Sequence, residues 1–191
     1  MEKIGLFGGS FDPVHFGHLL VAQAACEEFG LDRLVFIPAA RSPFKPDSAP
    51  AEDSHREQLL RMALAGSPNY LIDLQELERG GTSYTVDTIR NYRTEHPDAK
   101  LFWLIGADHV PTLDKWRDAA ELAAEVEFLI IPRPGEPEVS APPSFVIHRL
   151  HGFPLGVSSS QIRDRVRAGL PIQHLTGSAV AEGIRNNRLY I

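Results

Sequence analysis

Short apolar runs recur along this chain with helical patterns between them, and that alternation restricts the fold more than any other feature. Leu34-Val35-Phe36-Ile37-Pro38 is the clearest run. It carries no polar residue at alternate positions, which reads as a parallel strand buried on both faces. Residues 4–7, 70–74, 101–105 and 128–131 are further strand candidates, with 145–147 as a sixth. Helical patterns cover 19–29, closed by Gly30, then 55–64 with Asp53 or Ser54 as cap, 86–95 and 116–124. Another helix opens at Ser158, which has capping-box spacing to Gln161, and ends near Gly169; 180–191 reads as the last. The expected architecture is α/β: a Rossmann-like doubly wound parallel sheet with a small helical C-terminal extension. A single domain over 1–191 is expected, with 1–150 as sheet core and 151–191 as extension.

Charge and cysteine content narrow the function. A net charge of −6 disfavours sequence-independent binding to nucleic acid or an anionic membrane. No apolar stretch is long enough to span a bilayer, and Met1-Glu2-Lys3-Ile4 enters a strand without a signal-peptide pattern. The lone cysteine, Cys26, suits a reducing cytoplasm and reads as a small core residue. None of this excludes a phosphorylated small molecule, which needs only a local cationic pocket; His15, His18 and Lys45 could supply one.

The stretch from Gly8 to Leu19 points to such a ligand. It leaves the first strand through Gly8 and Gly9 and enters a helix carrying His15 and His18, three residues apart. Glycine permits close backbone approach to an anion, and a helix N-terminus adds partial positive charge. The spacing fits neither G-x-G-x-x-G nor G-x-x-x-x-G-K-[ST], so hydride transfer and P-loop chemistry are disfavoured. A metal reading of the histidines needs a third ligand, and none stands at a familiar spacing. Two partly buried structural histidines are the plainer alternative; phosphate recognition is the favoured one.

Gly9-Ser10-Phe11-Asp12-Pro13-Val14-His15-Phe16-Gly17-His18 resembles the (H/T)-x-G-H signature of the nucleotidylyltransferase superfamily. Within it, the chain resembles the bacterial nicotinate-nucleotide adenylyltransferases over nearly its whole length. Val157-Ser158-Ser159-Ser160-Gln161-Ile162-Arg163 is similar to their second motif, I-S-S-T-x-I-R. Gly81-Thr82-Ser83-Tyr84-Thr85 resembles their pyridine-pocket segment, and Leu104-Ile105-Gly106-Ala107-Asp108 with Lys115-Trp116 their G-A-D…W block. The resemblance implies that ATP and nicotinate mononucleotide are joined to give deamido-NAD and pyrophosphate in NAD biosynthesis. It implies catalytic roles for His15, His18 and Arg163. Gly8, Gly9, Ser10, Phe11, Gly106, Asp108, Arg133, Ser159 and Ser160 would bind ATP. Lys45, Tyr84, Thr85 and Trp116 would bind the mononucleotide. No carboxylate cluster reads as a metal cage, so Mg²⁺ is expected to arrive with ATP.

Alternatives remain open at this level. The same chemistry could act on nicotinamide mononucleotide or phosphopantetheine, or the chain could be a non-catalytic nucleotide-binding regulatory module. Monomer and homo-oligomer are equally compatible with the sequence. The chain also departs from the family pattern. Phe44 stands where histidine usually precedes the lysine, Ser160 replaces threonine, and no tyrosine precedes Ile184. Arg117 follows the tryptophan where an aromatic is common; it could sit near the substrate carboxylate or at the surface, and the surface is the favoured reading.

Overall fold

The structure, a computed structural model, describes residues 1–44, 50–131, 140–153 and 155–191. Six parallel strands form one sheet in the order β3-β2-β1-β4-β5-β6. They are β1 (Lys3–Gly9), β2 (Arg33–Pro38), β3 (Tyr70–Ile72), β4 (Lys100–Gly106), β5 (Glu127–Ile131) and β6 (Ile147–Arg149). Successive side chains of a strand point to opposite faces. In β4, Phe102 and Leu104 therefore join one apolar cluster, while Leu101, Trp103 and Ile105 join the other. The first cluster takes Phe7, Phe11 and Val14 together with residues of α1 (Phe16–Phe29), α2 (Asp53–Leu64), α6 (Ser159–Arg167) and α8 (Ser178–Asn186). The second takes residues of α4 (Thr85–Glu95) and α5 (Ala119–Glu125), with Tyr84 and Trp116 packed at its edge. Two short helices, α3 (Gln75–Arg79) and α7 (Gln173–Thr176), complete the helical set of the described residues.

The sheet matches the expected doubly wound order, and several boundaries moved for identifiable reasons. The expected strand at 70–74 stops at Ile72, because the Asp73 carboxylate turns to accept the Gln75 N–H at 2.9 Å and opens α3. The sixth strand starts at Ile147, not Phe145. Phe145 lies in a turn, bonded to the Pro142 carbonyl, with its ring against Phe128 at 5.6 Å. Neither Asp53 nor Ser54 caps α2; Glu52 holds the cap position and Asp53 is its first residue. The last helix ends at Asn186, and beyond it Arg188 and Tyr190 adopt left-handed backbone. Gly30 closes α1 in the left-handed conformation, and Ser158 with Gln161 forms the expected reciprocal cap on α6.

The largest revision concerns the helix expected at 116–124. A 3₁₀ segment, Ala107–Lys115, fills the space after β4, and α5 begins only at Ala119. Ala107, Val110 and Leu113 are its buried residues, spaced by three as a 3₁₀ turn requires. Trp116 continues that spacing and caps the segment in extended backbone, φ −70° and ψ 152°.

Candidate active site

In a sheet of this order the neighbours of β1 lie on opposite sides of a reversal, and crevices form outside the carboxyl ends of the strands there. The His15–His18 loop leaves β1 and the Gly106–Asp108 stretch leaves β4, so the two flank that point. A cleft of about 780 Å³ opens between them. It is lined by Gly8, Gly9, Ser10, Phe11, His15 and His18 from the β1 side and by Gly106, Asp108 and Trp116 from the β4 side. Tyr84 and Thr85, and Ser159, Ser160 and Arg163, complete the expected set on it. Lys45 and Arg133 lie outside the described residues.

The glycines have a packing reason that the motif alone concealed. Both stand inside β1 without positive φ. A Cβ on Gly8 would lie 2.5 Å from Cζ2 of Trp103, and one on Gly9 3.1 Å from the Phe11 ring. Phe11 is the residue with unusual backbone: φ is 45°, a left-handed value rare for a bulky side chain. Its buried ring is held edge-on to Phe7 at 5.4 Å and to His18 at 5.0 Å. What Phe11 offers the cleft is therefore mainly its peptide, fixed by an aromatic anchor.

His15 caps α1 and stacks on His18 with ring centroids 3.8 Å apart. Gly17 makes room for it, since a Cβ there would come within 2.9 Å of the His15 ring. Burial lowers the His15 pKa to about 4. The expectation that His15 supplies positive charge is thus corrected: in the unliganded protein it is a neutral imidazole at pH 7. Its buried Nδ1 has no hydrogen-bond partner among the described residues. His18 accepts the His15 N–H on Nδ1 at 3.2 Å. A ring nitrogen that accepts does not carry the proton, so neutral His18 holds it on Nε2.

The second motif is tied to the first across most of the chain. Arg163 donates from Nη1 to the Asp12 carbonyl at 2.7 Å and from Nη2 to Ser160 Oγ at 3.2 Å. Ser159 Oγ donates to the Pro13 carbonyl at 2.9 Å. The N-terminus of α6, whose first N–H groups lack intrahelical acceptors, therefore opens beside the start of α1.

At the other end, Trp116 has its Nε1 buried without a partner among the described residues. Phe44 lies 5.4 Å from the Trp116 ring and 4.5 Å from that of His109. Arg117 is exposed, as the surface reading expects, and it also borders the cleft, with its guanidinium 4.8 Å from the Tyr84 ring centroid, beside Asp87. Tyr84 caps α4 and Thr85 begins it, so free N–H groups point out of this end as well. Asp108 does not cap its segment; Gly106 holds that position, and the exposed Asp108 carboxylate lines the cleft.

Three lining or supporting residues were not foreseen. Glu76 is buried beneath Ser83 and accepts from the Thr88 hydroxyl at 2.6 Å; burial holds its pKa above the usual carboxylate range. Arg56 is fully buried and donates to the carbonyls of Ser10 and Ala39 at 2.8 Å each and of Ala51 at 3.2 Å. Trp103 walls the cleft behind Gly8. Only Trp103 carried a signal, an indole inside a strand that ends at the site. The acceptors of Arg56 are loop carbonyls distant in sequence, which no motif announces.

Comparison with known proteins agrees with this geometry. The cytidylyltransferase-like family model matches residues 6–165. A protein of Opitutus terrae, named a probable nicotinate-nucleotide adenylyltransferase, is 43% identical over 190 residues, covering 98% of this chain and 97% of its own. The nicotinate-nucleotide adenylyltransferase of Bacillus subtilis is 36% identical over 190 residues, covering 100% and 99%. Plasmodium falciparum nicotinic acid mononucleotide adenylyltransferase complexed with NaAD superposes with a TM-score of 0.79 at 20% identity, over 100% of this chain and 98% of that one. The last likeness concerns the fold. The full-length identities to the first two carry the assignment: this chain belongs to the nicotinate-nucleotide adenylyltransferase family.

Proposed function

We propose that the protein transfers the adenylyl group of ATP to the 5′-phosphate of nicotinate mononucleotide. The products are deamido-NAD and pyrophosphate, a step of NAD biosynthesis. The observation that carries this reading is the tie between the two phosphate-type motifs, Arg163 to Asp12 and Ser159 to Pro13, opposite an aromatic end framed by Tyr84, Thr85 and Trp116.

An oxygen of the mononucleotide phosphate attacks the α-phosphorus of ATP. The bond from that phosphorus to the bridging oxygen breaks, and the electron pair leaves with pyrophosphate. The attacking phosphate is largely dianionic at neutral pH, its second pKa being about 6, so no general base is required. The protein's contribution is alignment of mutually repelling anions and compensation of charge on the leaving group. Backbone from Gly8 to Phe11 holds the α-phosphate region. His18 donates from Nε2, and the desolvated His15 lies beside it, where an arriving polyphosphate favours its protonated form. Arg163, Ser159 and Ser160 hold the outer phosphates. Gly106 and the Asp108 carboxylate meet the adenosine ribose. Trp116 stacks on the pyridine ring, and N–H groups at the start of α4 receive the nicotinate carboxylate. Lys45 and Arg133 are assigned to the mononucleotide phosphate and to ATP respectively.

Among the described residues no group of three His, Cys, Asp or Glu side chains is placed to hold a metal ion. We assign Mg²⁺ to the triphosphate, as part of the substrate, where it would offset phosphate charge. No helix among the described residues is long and apolar enough to cross a membrane. The cytoplasmic setting proposed rests on cysteine usage alone, a single free thiol at Cys26.

The test is pyrophosphate release from ATP and Mg²⁺ with each acceptor in turn. Release is expected to be fastest with nicotinate mononucleotide. Faster release with nicotinamide mononucleotide or phosphopantetheine overturns the acceptor assignment, and none with any acceptor, despite ATP binding, overturns the enzyme.

A further inference from the structure

Beyond α8 the chain turns back and aims a phenol at the first loop. Tyr190 donates its hydroxyl to Oδ1 of Asp12 at 2.7 Å. The same oxygen accepts the Ala51 N–H at 3.1 Å. Oδ2 of Asp12 makes a long ion pair with Nη1 of Arg163 at 3.7 Å, while that nitrogen gives its hydrogen bond to the Asp12 backbone carbonyl. Asp12 is 7% exposed, so these contacts form largely out of water. A carboxylate beside a guanidinium ordinarily makes two parallel N–H···O bonds with it. Here one oxygen already serves two donors, and that fork does not form. The guanidinium keeps its Nη2 on Ser160 Oγ, at the cleft.

The backbone that presents the phenol is itself unusual. Arg188 and Tyr190 have φ of 49° and 66°, left-handed values rare for residues with a side chain. Between them Leu189 is buried and its N–H bonds the Ile184 carbonyl at 3.0 Å. Such a conformation persists only where the surroundings over-determine it. Burial, and next the charge of Asp12, push the Tyr190 hydroxyl above its ordinary range, so it remains a donor.

We propose that Tyr190 is a positioning residue for adenylyl transfer: it holds the Asp12 carboxylate so that Arg163 keeps its donors for the triphosphate. This rests on the reading in which Arg163 grips the outer phosphates. Without the hydroxyl, Asp12 is released to tighten its long ion pair with Arg163 into a hydrogen-bonded fork and so compete with ATP.

The experiment compares Tyr190→Phe, Leu189→Ala, Arg163→Ala, Asp12→Asn and the Tyr190→Phe/Asp12→Asn pair in the full chain, by steady-state pyrophosphate release and thermal melting. Tyr190→Phe is expected to lower kcat/KM for ATP about tenfold, the scale of one hydrogen bond to a charged group, while KM for the mononucleotide changes less than about twofold. Leu189→Ala truncates the neighbouring anchor; it is expected to lower Tm at least as much and to leave the ATP constants within about twofold. In the Asp12→Asn background the Tyr190→Phe penalty is expected to shrink below about threefold, since the competing charge is gone. Tyr190→Phe with unchanged ATP kinetics overturns the proposal, as does an undiminished penalty in the Asp12→Asn background. Equal kinetic loss in Leu189→Ala overturns it too, by showing a merely structural segment. If Arg163→Ala retains ATP kinetics, the phosphate-grip reading itself falls. If Arg163→Ala is crippled and Tyr190→Phe is not, only the role of Tyr190 falls.

Discussion

Gly8→Ala isolates the reason for glycine at the end of β1. A Cβ built there meets Cζ2 of Trp103 at 2.5 Å and Cη2 at 2.9 Å. Non-bonded carbons are comfortable at about 3.5–4.0 Å, so the ring must retreat by roughly 1 Å. It has little room: Trp103 is 5% exposed, belongs to β4, and sits in the strand pairing opposite Leu6 of β1. Overpacking of this kind costs about 1–3 kcal/mol. At about 2–4 °C per kcal/mol for a chain of this size, Tm should fall by roughly 2–12 °C. Trp103→Phe removes both clashing atoms. In the Gly8→Ala/Trp103→Phe protein the two penalties should fall short of additive by at least about 1 kcal/mol, as expected for residues in contact. Thermal and urea melts of the four proteins give the coupling, and pyrophosphate release gives the KM for ATP. That KM should recover toward the Trp103→Phe value. Additive destabilisation, or an ATP defect that persists once the clash is relieved, would refute the packing argument and restore anion approach as the reason for glycine.

Two other perturbations follow from buried groups near the cleft. His15 titrates near 6.5 in an unfolded chain and about 4 when folded, because burial disfavours its charged form. The unfolded state therefore binds more protons between those values. Stability is intact above the higher one and declines by about 3 kcal/mol as pH falls to the lower. His15→Gln should flatten this part of the stability profile in urea titrations from pH 7 to 4; parallel profiles would contradict the assignment. Arg56→Lys replaces a fork that spans the Ser10, Ala39 and Ala51 carbonyls with a single amine. With one carbonyl kept by the amine, two part-buried ones are left unpaired at about 1–3 kcal/mol each, so a loss of at least about 2 kcal/mol is expected in urea melts. A loss below about 1 kcal/mol would show that the carbonyls find other donors.

Legibility in the sequence followed the range of the interactions. Strands β1, β2, β4 and β5 were readable because burial on both faces leaves a local, uniformly apolar imprint. The Ser158–Gln161 cap and Gly30 were readable because each involves residues within one turn. The helix expected over 116–124 is present from Ala119, but its start was placed three residues early and the 3₁₀ segment before it went unread, although Ala107, Val110, Leu113 and Trp116 repeat every third residue, a period tighter than the helical one sought. At the site, the motifs located the cleft but not the state of its groups. Neutral His15, the Trp103 wall behind Gly8, Glu76 beneath Ser83 and the Arg56 fork all depend on partners distant in sequence. The surface position of Arg117 was readable, but its contact with Tyr84 was not, because that contact depends on the extended turn at Trp116.

The two apolar clusters on opposite faces of the sheet divide the cleft between them. Phe7, Phe11, Val14 and Ile162, which underlie the loops proposed to hold the phosphates, pack on one face. Tyr84, Val86, Val110, Leu113 and Trp116, which underlie the acceptor end, pack on the other. The backbone of the sheet lies between, so a repacking of the second face away from Trp103, which stands against Gly8, and Ala107, which lies between Gly106 and Asp108, need not propagate to the first. Such a scaffold can exchange acceptors over evolutionary time while its nucleotide chemistry stays in place. For engineering, substitutions around Tyr84, Val86, Leu113 and Trp116 of the second face offer a route to new acceptors with adenylyl transfer retained.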